Sequence, residues 1–196
     1  MINELLSGSI VQTSLLFAVI FPAAMIAAGA VISGVQHFLT KIITAILGSG
    51  FTFILVNYLM FPGVMLHEIS HAAMAFVTGA KLTEVALFKP SGGTLGYVNY
   101  RTRGPGFLQS IQRVMASSAP VYLGAAFVYL FYFLITTVVS GVFWKVILGY
   151  IAMSMIFHMT MSTQDFKTFF KGLPAFIVSI FCVSMVVLYF TNRCSI

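Results

Sequence analysis

Three ionisable residues share five positions of an otherwise apolar run. They are His67, Glu68 and His71, in the order HEISH within FPGVMLHEISHAAMAFVTGA, residues 61–80. On a helix the two histidines stand one turn apart on one face. Both imidazoles can then reach one Zn2+ at about 2.0–2.1 Å. Glu68 follows the first histidine and points beside the metal rather than at it, where it can take a proton from a water that the metal activates. The competing reading is a pair of buried histidines satisfied by backbone or by neighbouring side chains. A charge in mid-membrane costs at least ~2.5–3.5 kcal/mol on insertion scales, and this chain has only four acids and four histidines. Placing three of these eight in one short apolar segment favours the metal site.

A catalytic zinc takes three protein ligands and keeps its fourth position for water. Glu4 is terminal and Glu84 falls in a predicted hairpin, so Asp165, in MSTQDF, is the leading third ligand. His158 competes with it, and Asp165 has a plain alternative as a helix cap or as the partner of Lys167. If His158 and Asp165 share one helix, seven residues separate them on the same face, about 10 Å apart in depth. Both then cannot bind one ion without an unwound turn. His37 reads as uninvolved.

These residues need a scaffold, and the composition says which kind. The 196 residues are 60% hydrophobic and 7% charged, with a mean hydropathy of +1.03. Ordinary globular chains are roughly a quarter charged, and several apolar runs here reach the ~20 residues that cross a bilayer. The expected fold is an all-α polytopic membrane protein, one transmembrane domain over residues 1–196 with its core at about 52–170. The apolar runs are Ser14–Ile32, Phe51–Thr78, Met115–Val139, Val146–Met161 with an extension, and Leu173–Asn192. The second is too long for a straight crossing and contains Pro62, which predicts a kink there or a helix that begins there. Residues Ser33–Gly50, with the breaker Gly48-Ser49-Gly50, read as a loop with a short helix or as part of a sixth span, Lys41–Met60. Five spans are favoured over six.

The net charge of +6 does not point to nucleic acid, because the basic residues lie between apolar runs, where topology-setting charges belong. Lys81, Lys89, Arg101, Arg103 and Arg113 against Glu84 make the 79–114 loop cytoplasmic, and Lys167 and Lys171 do the same for the later one. Within the first loop, Glu84–Phe88 and Thr94–Tyr100 are β-prone and are joined by Pro90-Ser91-Gly92-Gly93, which predicts a hairpin. It is either a plain connector or an exposed edge that pairs with an extended peptide. Cys182 and Cys194 have no metal spacing and form no disulfide framework. The first apolar run lacks a basic lead and a cleavage site, so it reads as a retained helix.

Smaller features accompany the motif. Ser117-Ser118-Ala119-Pro120 and Gly124 open the third run, where small residues allow close helix approach and a proline frees a backbone carbonyl. Ser162, Thr163 and Gln164 are placed to hydrogen-bond Asp165 or a metal-bound water.

Taken together, HEISH in a hydrophobic segment, Gly79-Ala80 with a short β-rich loop, Ala119-Pro120, and an acid near a later span resemble the site-2 protease family of intramembrane zinc metalloproteases. The resemblance covers about residues 52–170. It implies one Zn2+ per chain on His67, His71 and Asp165, with Glu68 as catalytic base. It also implies a transmembrane or membrane-associated peptide substrate that unwinds locally and extends along the Thr94–Tyr100 edge. The family's Asn-Pro and Asp-Gly pattern around the third ligand is replaced here by Ser162-x-x-Asp165-Phe166, and its Gly-Pro by Ala119-Pro120. The expectation is therefore a small, divergent zinc endopeptidase, multi-pass in a prokaryotic cytoplasmic membrane. The alternatives are a metal-binding scaffold or chaperone of the same fold and a metal transporter. An intact Glu68 argues against the scaffold, and a lack of further ligands across the bilayer argues against the transporter.

Overall fold

The computed structural model describes residues 10–89 and 95–194. It opens with α1, Ile10–Leu47, an unbroken helix of 38 residues. That length is about 57 Å at helical rise, so residues 33–47 continue the first helix and form neither a loop nor the start of a sixth span. The break falls at Gly48, whose φ of 80° no helix continues.

The HEISH segment sits in a bent pair of helices. The short helix α2, Ser49–Ile54, runs into a π-helical turn, Leu55–Leu59, and α3, Phe61–Val77, leaves at a bend of 51°. Pro62 causes the break, since it lacks an N–H and its ring displaces the carbonyl four residues back. The kink expected at Pro62 is present, with the break at Met60, two residues before the proline. Downstream come strands β1, Lys81–Ala86, and β2, Tyr97–Arg101, then α4, Gly106–Phe133, with a π-helical extension over Leu134–Val138. Helices α5, Val142–Ile156, and α6, Thr163–Cys194, complete the chain.

Three helices are long and apolar enough to cross a membrane: α1, α4 with its extension, and α6; the bent α2–α3 pair makes a fourth if it is one span. Helix α5 has 15 residues, about 22 Å against a hydrocarbon core of ~30 Å. Against the expected five spans stand three full-length helices, one bent pair and one short helix. Val31, Phe76, Val142 and Trp144 are largely exposed, as befits a chain solvated by lipid.

The break between α5 and α6 corrects one expectation. The Val146–Met161 run does not extend as a helix to Asp165: α5 ends at Ile156, residues 157–162 are not helical, and Asp165 lies in the first turn of α6. Ser162 and Asp165 account for the restart. The Ser162 N–H donates to Asp165 Oδ2 at 2.8 Å, and the Asp165 N–H donates to Ser162 Oγ at 3.2 Å, a reciprocal cap that satisfies two donors at a helix start. His158 and Asp165 therefore do not share a helix, and their depths are not tied by helical rise.

The hairpin forms with antiparallel register Leu82 opposite Tyr100 and Val85 opposite Val98, and a bulge at Thr83. Its strands lie a few residues from the predicted ones, and the proposed turn, Pro90 to Gly93, lies outside the described residues. Helix α3 enters β1 through a left-handed Gly79, φ 85°, with Gly79 N–H on Phe76 O and Ala80 N–H on Ala75 O. This pair of bonds is a Schellman ending. The fully buried Gln112 of α4 locks the junction: its amide donates to the carbonyls of Thr78 and Arg103 and accepts from the Arg103 N–H. Helix α4 packs between α3 and α6. Ala75, Ala80 and Ala116 fill the first contact and Val114, Val121, Phe169 and Phe176 the second. Small residues set the close approach, since a Cβ on Gly172 would fall 2.7 Å from Ser110 O, and one on Gly63 2.1 Å from Ser154 O.

Candidate metal centre

One turn of α3 brings His67 Nε2 and His71 Nε2 to 3.1 Å of each other, with the rings edge-on at 78°. From the start of α6, Asp165 Oδ1 comes to 3.4 Å of His71 Nε2. The ligand atoms of the three residues all lie within 4.8 Å of one another.

The other ring nitrogens face backbone carbonyls. His71 Nδ1 lies 2.8 Å from Ala116 O, and His67 Nδ1 lies 2.6 Å from His158 O. A carbonyl only accepts, so each Nδ1 carries the hydrogen and each neutral Nε2 presents a lone pair. Both carbonyls are available for a local reason. Ala116 is four residues before Pro120, which has no N–H to donate to it. His158 is four residues before Ser162, whose N–H is turned to Asp165.

This arrangement supplies the test of fit. With both rings neutral, two imidazole lone pairs and a carboxylate oxygen converge and share no hydrogen. Such a set is repulsive alone and is satisfied by a cation. Two nitrogens and one oxygen, with the imidazoles fixed by carbonyls behind them, form a donor set able to hold a metal ion.

Glu68 is 8% exposed, and its carboxylate accepts no hydrogen bond from any described residue. It abuts Gly96, just before β2, where an added Cβ would fall 2.9 Å from Glu68 Cγ. Glu68, the metal ligands and residues 95–102 line one cavity of about 860 Å3. From α1, Gln36 Nε2 reaches the cavity wall by donating to Phe157 O at 2.5 Å. Tyr100, on β2 outside the spanning helices, also faces the cavity. Burial pushes its hydroxyl up to about 12; the Asp165 charge adds to the rise and the Arg113 charge opposes it.

The remaining candidates separate from the cluster. The His158 ring lines the cavity, but its Nδ1–H is bound to Ser154 O at 2.8 Å. What His158 gives the cluster is its carbonyl. Glu84 accepts hydrogen bonds from Tyr97 and Asn99 on the hairpin, and His37 is exposed on α1. Glu4 lies outside the described residues. Of the residues proposed to support Asp165, Ser162 does so; Gln164 lines the cavity, and neither it nor Thr163 hydrogen-bonds Asp165. Asp165 does cap its helix, as its plain alternative held, while also facing His71. Gly96 and Tyr100 were not singled out from sequence; a glycine and a tyrosine beside a hairpin turn carry no signal of their own. Comparison with protein-family models, curated proteins and solved structures finds no match to this chain.

Proposed function

We propose that the chain is an intramembrane zinc endopeptidase, resembling the site-2 proteases, that cuts membrane-embedded or membrane-proximal peptide segments. The observation that carries this reading is the convergence of His67, His71 and Asp165 beside an unpaired Glu68, in a polar cavity among lipid-solvated helices. His67, His71 and Asp165 would hold the zinc. When bound, zinc polarises a carbonyl and lowers the pKa of water towards ~7.

The chain's own residues supply the rest. The Glu68 carboxylate oxygen accepts a proton from the attacking water and passes it to the departing amine. Its lack of internal partners leaves both oxygens free for that exchange. Gly96 lets the carboxylate lie against the strand, because any side chain there would displace it. The cavity side of β2 offers backbone groups to an extended substrate segment, which must unwind to reach them.

The test measures zinc per chain and peptide cleavage in detergent-purified protein. Glu68→Gln should keep about one zinc and lose at least about a hundredfold in rate, the range of a positioned base. Asp165→Ala should lose the zinc. A Glu68→Gln variant that cuts at the wild-type rate removes Glu68 from the mechanism. Zinc retained by a wild type that cleaves nothing would favour the binding-only scaffold.

A further inference from the structure

Beside the metal centre, the same cavity is bordered by two guanidinium side chains, Arg101 and Arg113. Arg113 leaves α4 one turn before Ala116, the residue whose carbonyl holds His71. It is half-buried, and the side chain that meets it is the Gln109 amide, with Oε1 3.3 Å from Nη2. The carboxylates among the described residues lie elsewhere. Glu84 accepts from Tyr97 and Asn99, Asp165 faces His71 and accepts from the Ser162 N–H, and Glu68 lies against Gly96. No described carboxylate lies within ion-pair distance of either arginine, and the Tyr100 hydroxyl has no described hydrogen-bond partner. Tyr100 lines the same cavity as Arg113 and Asp165. A guanidinium is a planar fork of five donors that matches a carboxylate bidentately.

We propose that Arg113 and Tyr100, with Arg101 at the rim, form a carboxylate subsite, so that the cavity selects a peptide carrying an acidic side chain or a free C-terminal carboxylate near the bond to be cut. The spacing follows from β2. Gly96 touches Glu68, and Tyr100 lies four residues on, about 13 Å at strand rise. The carboxylate therefore sits within about four residues of the reacting carbonyl. This inference rests on reading the cavity as a peptide site, and its test separates the two.

The probes are a fluorescein-labelled Leu/Ala-rich peptide with one Asp, its Asn twin, and each as free acid and as C-terminal amide. Binding to zinc-loaded, full-length Glu68→Gln protein in zwitterionic nanodiscs is read by anisotropy. The Asp peptide should bind about tenfold more tightly than the Asn peptide, in the range of a charge-assisted hydrogen bond. Adding Arg113→Gln should abolish that preference, and Arg113→Lys, which keeps the charge but loses the fork, should keep only part of it, both at unchanged zinc content. A preference that follows the free C-terminus instead of Asp supports the subsite and assigns it to chain ends. Equal binding of all four peptides, or a preference unchanged by Arg113→Gln, overturns the proposal. So does an Arg113 effect that appears only with anionic lipid, which would give the guanidinium to headgroups. Wild-type cleavage of the same peptides reports separately: preference without cleavage sinks the protease reading and keeps the subsite, and cleavage without preference does the reverse.

Discussion

Pro120 leaves the Ala116 carbonyl without its helical donor, and His71 takes the vacancy at 2.8 Å. At this position a proline, usually a defect worth ~3 kcal/mol in a helix interior, serves the site. Pro120→Ala should therefore have two effects of opposite sign. Thermal stability should rise, because the helix regains a hydrogen bond. Zinc affinity should fall by about tenfold or more, the usual effect of losing a partner behind a metal-binding histidine. A competition titration against a chromogenic chelator reads the affinity; unchanged affinity would mean the Ala116 contact is incidental. The His67, Glu68 and His71 triplet was legible in sequence because helical spacing alone puts the two histidines on one face. That a proline frees a carbonyl was legible as well. Which side chain would take that carbonyl was not, because His71 and Ala116 meet only when α3 packs on α4.

Between helix and hairpin, the ending of α3 decides where β1 and β2 lie relative to Glu68. Gly79 adopts φ 85° there, and an added Cβ would meet nothing closer than Gln112 Nε2 at 3.8 Å. Gly79→Ala is thus a purely conformational perturbation. It should destabilise the fold by about 1–2 kcal/mol, the cost of a left-handed alanine, seen as a thermal midpoint lower by several degrees. No shift would show that the ending relaxes freely. Elements of strong local character matched expectation: the Pro62 break and the hairpin. The first helix, expected to end at Ile32, instead runs on to the breaker at Gly48. The restart at Ser162 also departs from expectation. Apolar composition suggests that the Val146 run continues, and the reciprocal Ser162–Asp165 cap, a four-residue S-x-x-D signature, is the weaker signal.

Across the whole molecule, the centre ties α3 to α6, and α4 lies between them as the common support. An ion held by both helices should stabilise the assembled fold and not a single element. Added zinc should raise the wild-type thermal midpoint in a concentration-dependent way, approaching ~4 kcal/mol at a thousandfold excess over Kd. Asp165→Ala should show little response. An equal response in both would place the stabilising zinc elsewhere. The meeting of α3 with α6 was anticipated only as a pairing of residues. The sequence holds no record of the packing that brings them together, of α3 on α5 at Gly63 and of α6 on α4 at Gly172, and the role of those glycines appears only there.

The two groups that orient the histidines are both main-chain oxygens, and this makes the centre's support invisible to alanine scanning. Residue 116 is already alanine, and His158→Ala would leave its carbonyl in place. His158→Ala should consequently retain zinc, although the residue touches His67. The substitutions that reach this layer are those that return a hydrogen to the backbone or free one, such as Pro120→Ala and Asp165→Ala. Side-chain changes at positions 116 and 158 leave these carbonyls in place, whereas repairing the interruptions that expose them should weaken the hold on an ion.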